Sequence, residues 1–416
     1  MSQNEQFHQA CEYWLQAALQ LLKNKPLSYT EDMEVTFILN GYETRGGIYK
    51  VDIGRLYTTY REKLLSLPEY EAVVHIVLQT PALASTLCMD AEGIVHAVVG
   101  IQRYFIERCL LVLLTEYFIA TQDFVFKEAD FEGIYEKLEW FVYNTESFDA
   151  ICLVHIRNLA IEVGTILLDR SVILRQATHE EKVGAVKNLY NPLFRIVGSE
   201  VPDTFLEVHQ PTNRVTPLDL QEASTIAQSA VLALRLIKDN PIGIVSYSWD
   251  VPEQPFRLNK SGTQSPLVLP SAFSGERYIL TQEEATILPK LYKKVKRAYR
   301  NLEITTAITR FEDSYTRIKS EDKLIDYWVA LEALFFSLIP KEYVGSMGET
   351  VASNIAYYVG NTESERRSIY AFIYSSHKAR SYFVHGQRGT APEHLDSTIK
   401  KTEQYLRTAL RKRIEE

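Results

Sequence analysis

The ten residues HKARSYFVHG, positions 377–386, gather the side chains of this chain best suited to phosphodiester chemistry. Arg380 offers a permanently charged guanidinium fork that matches two phosphate oxygens, and His385 offers an imidazole that titrates near neutrality. Attack of an RNA 2′-hydroxyl on its neighbouring phosphate needs a base of near-neutral pKa and a cation for the charge growing on phosphorus. Histidine supplies the first and arginine the second. That chemistry requires no metal and implies no cofactor, and the sequence carries no carboxylate or His/Cys cluster of metal-ligand type. His8, His75, His96, His155, His179 and His209 stand singly, with no i,i+4 pair.

Spacing limits how the two groups meet. On a straight helix five residues subtend roughly 500°, which leaves the side chains about 140° apart. Either the last turn loosens before Gly386 and swings His385 round, or the two groups converge from different subunits. His377 and Ser381 precede His385 by eight and four residues and share its stripe, so Ser381 is placed to fix the imidazole tautomer. The same residues also admit a structural reading, in which Arg380 pairs with a glutamate and His385 complements the helix C-terminal dipole.

These groups need a scaffold, and the flanking pattern supplies one. Thr362-x-x-Glu365 is a capping box that opens a helix running to His385, with Gly386 as its C-cap. Upstream, Thr281-Gln-Glu-Glu starts a helix to about Asn301, interrupted or kinked at Pro289. A longer helix is expected over about 305–338, with Leu324, Trp328, Leu331, Leu334 and Phe335 on one stripe. Shorter periodic segments at 349–359 and 393–414 complete a bundle of four or five helices over residues 281–416. Lys290, Lys293, Lys294, Lys296, Arg297 and Arg300 lie on its first helix. They describe either a track for a polyanion backbone or an ordinary solvated face.

The rest of the chain reads as mainly α. Residues 1–196 form a helical region with a short β-hairpin near 34–52, in which EVTFIL and GIYKVDI are strands around NGYETRG. Residues 197–280 hold eight prolines and read as a connector or small β element, so a domain boundary is expected near 280. The chain has 45 Lys and Arg against 53 Asp and Glu, yet residues 281–416 hold 22 against 18. The C-terminal third is therefore the basic part, where a phosphate-bearing substrate would be steered. Cys11, Cys88, Cys109 and Cys152 form no C-x-x-C pair, which fits a reducing, cytoplasmic setting. The start shows no secretory signal pattern. The most lipid-like stretch, 96–120, is broken by Arg103, Glu107, Arg108 and Glu116 at helical spacing and reads as a buried helix, so no membrane partner is expected.

The run DYWVALEALFFSLIP, then VASNIAYYV, then RRSIYAFIYSSHKARSYFVHG, resembles the Apea-like branch of the HEPN superfamily over roughly residues 285–416. The shared features are an Ala-Leu-Glu-Ala-Leu helix, a middle helix and a terminal Tyr-x-x-Arg-Ser-x-x-x-His-Gly signature, from which this chain departs in having His377 where an aromatic commonly stands. The resemblance implies a metal-independent endoribonuclease working as a homodimer, with two Arg/His pairs facing each other. Arg380 would then contact the scissile phosphate, and His385 would act as base or acid in a reaction leaving a 2′,3′-cyclic phosphate. Ser381 would fill the polar position after the arginine, and Glu332 would pair with Arg380 or another buried cation. Lys293, Lys294, Arg297 and Arg300 would hold the RNA. Many such proteins are toxins or anti-phage effectors whose N-terminal region senses a trigger, here a phage-derived or antitoxin protein. The other reading is a non-catalytic HEPN interaction module that dimerises or binds a nucleotide or partner protein.

Overall fold

In a computed structural model the described residues are 2–26, 29–31, 34–38, 41–45, 49–51, 53–88, 99–144, 148–183, 201, 203–212, 220–250, 256, 261–264, 277–335, 346–385 and 394–416. Gly386, His96 and the expected helix up to 195 lie outside them. Helix α1 (Glu5–Lys23) follows the apolar period read from sequence: Phe7, Cys11, Trp14, Leu15, Ala18 and Leu22 are buried, and the Asn4 side chain accepts from the Phe7 N–H. Strands β1 (Tyr29–Glu31), β2 (Glu34–Ile38), β3 (Gly41–Arg45) and β4 (Tyr49–Val51) make two antiparallel pairs, β1 with β4 and β2 with β3. The segment expected as a turn thus contains β3, whose Tyr42 and Thr44 favour extended backbone.

Five helices complete this N-terminal unit: α2 (Ile53–Leu65), α3 (Pro68–Gln79), α4 (Pro81–Leu87), α5 (Val99–Thr121) and α6 (Glu128–Tyr143). Pro68 and Pro81 sit at helix starts, where the missing N–H removes no bond. Trp14, Leu64, Val77, Leu113, Tyr117 and Leu138 meet in one core, which also takes in Phe256. Two charges of α5 are matched from neighbouring helices, Glu107 by Arg61 and Arg103 by Glu71. No helix among the described residues is long and apolar enough to cross a membrane.

The next segment departs from the helical expectation. Residues 148–176 are strands β5 (Phe148–Arg157), β6 (Leu159–Ile161), β7 (Thr165–Asp169) and β8 (Val172–Gln176). They are followed by β9 (Thr204–Thr212), helix α7 (Leu220–Ile237), β10 (Gly243–Asp250), β11 (Ser261–Gln264) and β12 (Tyr278–Leu280). Six of them form an antiparallel sheet in the order β11-β10-β5-β9-β8-β7. Ala150, Cys152, Val154 and Ile156 alternate inward on β5, a period of two that the dense apolar run conceals. The Pro-rich stretch 197–280 is thus no mere connector, because it supplies half of this sheet.

The C-terminal bundle holds α8 (Gln282–Ala298), α9 (Leu302–Ser314), α10 (Ser320–Phe335), α11 (Met347–Val359), α12 (Glu363–His385) and α13 (Leu395–Glu415). Both capping boxes form: Thr281 with Glu284, and Thr362 with Glu365. Helix α8 continues through Pro289. The long helix expected over 305–338 is two helices, α9 and α10, folded back on each other. The buried carboxylate of Asp326 fixes that fold: Oδ1 accepts from Arg310 at 3.2 Å and Oδ2 from Arg317, in the connection, at 2.6 Å.

One apolar core runs from Cys152 on β5 to Ile414 on α13, across the boundary expected near 280. Strand β12 pairs in parallel with β6, α8 packs on α7 and β7, and α13 reaches both α7 and α8. Sheet and bundle therefore stabilise each other. Replacing Arg310 and Arg317 together by Ala leaves Asp326 buried without a cation and should lower stability by about 3 kcal/mol in urea denaturation. Either single change, which leaves one partner, should cost less.

Candidate ribonuclease-type site

Helix α12 is regular to its last residue, His385, so the loosened final turn is not adopted. Its inner face carries Ile369, Ile373, Ser376 and Ala379. Arg380 follows on the edge of that face, its side chain 19% exposed, whereas His385 is exposed. The two groups consequently diverge around the helix by the angle that their spacing dictates, roughly 140°.

The Arg380 guanidinium points toward α10. Its Nη2 lies 3.7 Å from Glu332 Oε1, so the two expected partners do meet, but through a single long contact. That geometry lacks the two parallel hydrogen bonds of a fork-to-carboxylate pair. Arg380 Nε is buried and has no hydrogen-bond partner among the described residues. A guanidinium held this loosely keeps donors available for another anion.

A chain of small polar groups sets the height of α12. Trp328 Nε1 on α10 donates to Ser376 Oγ at 3.0 Å, Ser376 and Thr402 share a hydrogen bond of 2.8 Å, and Thr402 donates to the Thr398 carbonyl at 2.7 Å. All three side chains are buried, so each bond replaces one that water would otherwise make. Arg380 stands one turn beyond Ser376 and inherits its position.

His377, grouped by spacing with Ser381 and His385, is used otherwise. Its ring stands at a steep angle to Trp328 with centroids 5.0 Å apart, and its Nδ1 side lies against Gly348 on α11. Burial, reinforced by the Arg380 charge, holds its pKa below the ordinary histidine value. His377 is therefore a neutral packing ring at physiological pH. Ser381 is half-buried and makes no hydrogen bond to His385 among the described residues.

Lys290, Lys293 and Arg297 on α8 and Arg300 in the turn after it are exposed at three- and four-residue intervals, with Lys294 half-buried beside them. No ion pair engages these five among the described residues. Lys296 differs, reaching Asp169 on β7 at 3.3 Å. Helix α8 packs on α7, β7 and α13, while α12 packs chiefly on α10, α11 and α13. The cationic stripe and Arg380 thus belong to helices that are not close neighbours.

Spacing gave no warning of a second charged cluster, on the sheet. His209 on β9 is held at Nδ1 by Asp149 of β5 and at Nε2 by Glu207 at 2.6 Å. Glu207 also accepts from Arg175 of β8, which pairs in turn with Glu181. Partial burial opposes the charged imidazole, but the two carboxylates outweigh it and raise the His209 pKa. Gripped at both nitrogens, His209 is held in one orientation and its charged form is favoured. Glu207-x-His209 on one strand face was its only sequence signal. Among the described residues, no group of three or more His, Cys, Asp or Glu side chains could hold a metal ion.

No family model matches the chain, and neither a curated protein nor a solved structure matches it.

A Cβ added at Gly348 would overlap the His377 ring. Gly348→Ala should therefore destabilise the protein by about 1–3 kcal/mol and alter Trp328 fluorescence. His377→Ala should cancel most of the added cost in a double-mutant cycle read by thermal unfolding.

Proposed function

We propose that the chain is a metal-independent endoribonuclease of the HEPN type, active as a homodimer in which Arg380 of one protomer works with His385 of its partner. The observation that carries this reading is the end of α12, where a loosely held, partly exposed guanidinium precedes an exposed imidazole by about one and a half turns. One helix cannot aim both at one phosphate. Two copies of α12 related by a twofold axis offer a way, because a contact between one copy's arginine and the other's histidine is then repeated in a second, equivalent site.

In this reading Arg380 holds the scissile phosphate through its free donors while Glu332 steadies the guanidinium from behind. His385 takes the 2′-hydroxyl proton as the 2′-oxygen bonds to phosphorus. The bond to the 5′-oxygen breaks and that oxygen takes up a proton, leaving 2′,3′-cyclic phosphate and 5′-hydroxyl ends. Ser381 lines the site beside Arg380, and His377 acts through packing. The stripe of Lys293, Lys294, Arg297 and Arg300 meets more distant RNA backbone. Residues 1–280 serve as a sensing or restraining region, suited to a bacterial, cytoplasmic anti-phage or toxin effector triggered by a phage-derived or antitoxin protein.

The Arg380–Glu332 contact within one protomer favours a second reading, a non-catalytic interaction module in which Arg380 is structural. Incubation with total RNA in EDTA separates the two. The wild-type protein should cleave, and Arg380→Ala and His385→Ala should each slow cleavage at least ~10²-fold. Equal cleavage by all three sinks the nuclease assignment. Mixing the two inactive variants should restore activity, since a mixed dimer rebuilds one intact Arg/His pair; failure to complement, with cleavage otherwise lost, would place both groups in one protomer.

A further inference from the structure

Where α7, α9 and α13 converge, the protein encloses charges that neither the candidate site nor the sheet cluster uses. Arg235 near the end of α7 is only 5% exposed. Its Nη2 donates to the Ile242 carbonyl at 2.7 Å, its guanidinium carbon lies 3.9 Å from the centre of the Tyr315 ring, and its Nε has no partner among the described residues. Glu403 on α13 is 3% exposed. Arg407 Nη2, one turn on, stands 3.5 Å from Glu403 Oε2, within ion-pair range. Neither Glu403 oxygen closes a hydrogen bond among the described residues, and Arg407 Nη1 is likewise unsatisfied.

The groups around Glu403 come from every neighbouring element. Arg407 and Lys400 share its helix, the Tyr315 hydroxyl approaches from the end of α9 and Tyr327 from α10, and Asp239 follows α7. A second carboxyl, Glu312 on α9, accepts from Tyr299 at 2.6 Å and also feels Arg235 and Asp313. An ionised carboxylate this deep, approached by the Tyr315 hydroxyl but closing no hydrogen bond at either oxygen, carries a large desolvation cost that Tyr315 and one long contact with Arg407 offset only in part. The neutral acid avoids that cost.

We propose that Glu403 is a proton-carrying latch, uncharged when α13 is seated against the ends of α7 and α9, and that losing this proton loosens α13 while the rest of the chain stays folded. Burial pushes the Glu403 carboxyl up to about 8, a rise that Arg407, the Tyr315 hydroxyl and Lys400 oppose and Asp239 adds to; burial likewise brings Glu312 to about 7. A carboxyl raised on folding favours the folded state most below its ordinary pKa near 4.5, and that advantage is lost as pH rises toward the raised value. The latch therefore opens on the alkaline side of neutrality. Thr402 precedes Glu403 and shares a hydrogen bond with Ser376, which in turn accepts from Trp328, so the same proton bears on the seat of α12.

Hydrogen exchange of the full chain at about pH 6 and about pH 9, corrected for intrinsic rates, tests the latch. Amides of Leu395–Glu415 and of the last turns of α7 should lose about tenfold or more protection at the higher pH, while Glu5–Lys23 keeps its own. Glu403→Gln, which mimics the neutral acid, should hold protection level at both pH values. Unchanged protection in the wild type, an equal loss in Glu403→Gln, or a loss shared by Glu5–Lys23 would overturn the proposal. Should the variant fold poorly, wild-type infrared spectra decide: a protonated-carboxyl band is expected at about pH 6 and lost by about pH 9, and its absence at the lower pH refutes the latch.

Discussion

The burial of one continuous apolar surface between the sheet layer and the C-terminal helices is the constraint on which the rest of the structure rests. Helix α7 lies in the middle of it, with Ala223, Ala227 and Ala230 and the larger Leu234 all buried. Small side chains let α7 approach its neighbours closely, and α8 and α13 close over the same region. Because a shared core is expensive to open, the bundle and the sheet layer form one packed unit. Its helices are positioned by the sheet, and the sheet's inner face is covered by them.

That arrangement brings polar groups inside, and the molecule treats them in three ways. Asp326 is held by two arginines whose outer parts remain wet, so its charge is compensated at little cost in desolvating the cations. Trp328, Ser376 and Thr402 satisfy one another as neutral donors and acceptors and fix three helices in height. Glu403 and Arg235 have neither solution in full, and their surroundings favour a proton on the carboxyl rather than a pair of charges. The first two are scaffolding; the third responds to its conditions.

The end of α12 illustrates how position divides the work of similar residues. His377 and His385 lie on one stripe by spacing, but Trp328 and Gly348 enclose the first while the second projects into solvent. Burial beside Arg380 keeps His377 uncharged, which suits a ring packed on an indole. Arg380 sits at the border, deep enough for Glu332 to reach it and shallow enough to retain donors for an outside anion.

Local chemistry alone determined much of this protein. The helix caps at Thr281 and Thr362, the amphipathic first helix, and the 140° divergence of Arg380 and His385 follow from residue type and spacing, because they depend on neighbours a few positions away. The sheet was not legible in the same way. Strand β5 is dense enough in apolar side chains to fit either period, and only pairing with the distant β9 and β10 decides for a strand. The break between α9 and α10 likewise depends on Asp326 reaching back to Arg310 and Arg317. For Glu403 and His209 local partners, Arg407 and Glu207, tell only part of the story; burial and distant groups such as Asp239, Tyr315 and Asp149 complete it, and the chain meets those only once folded.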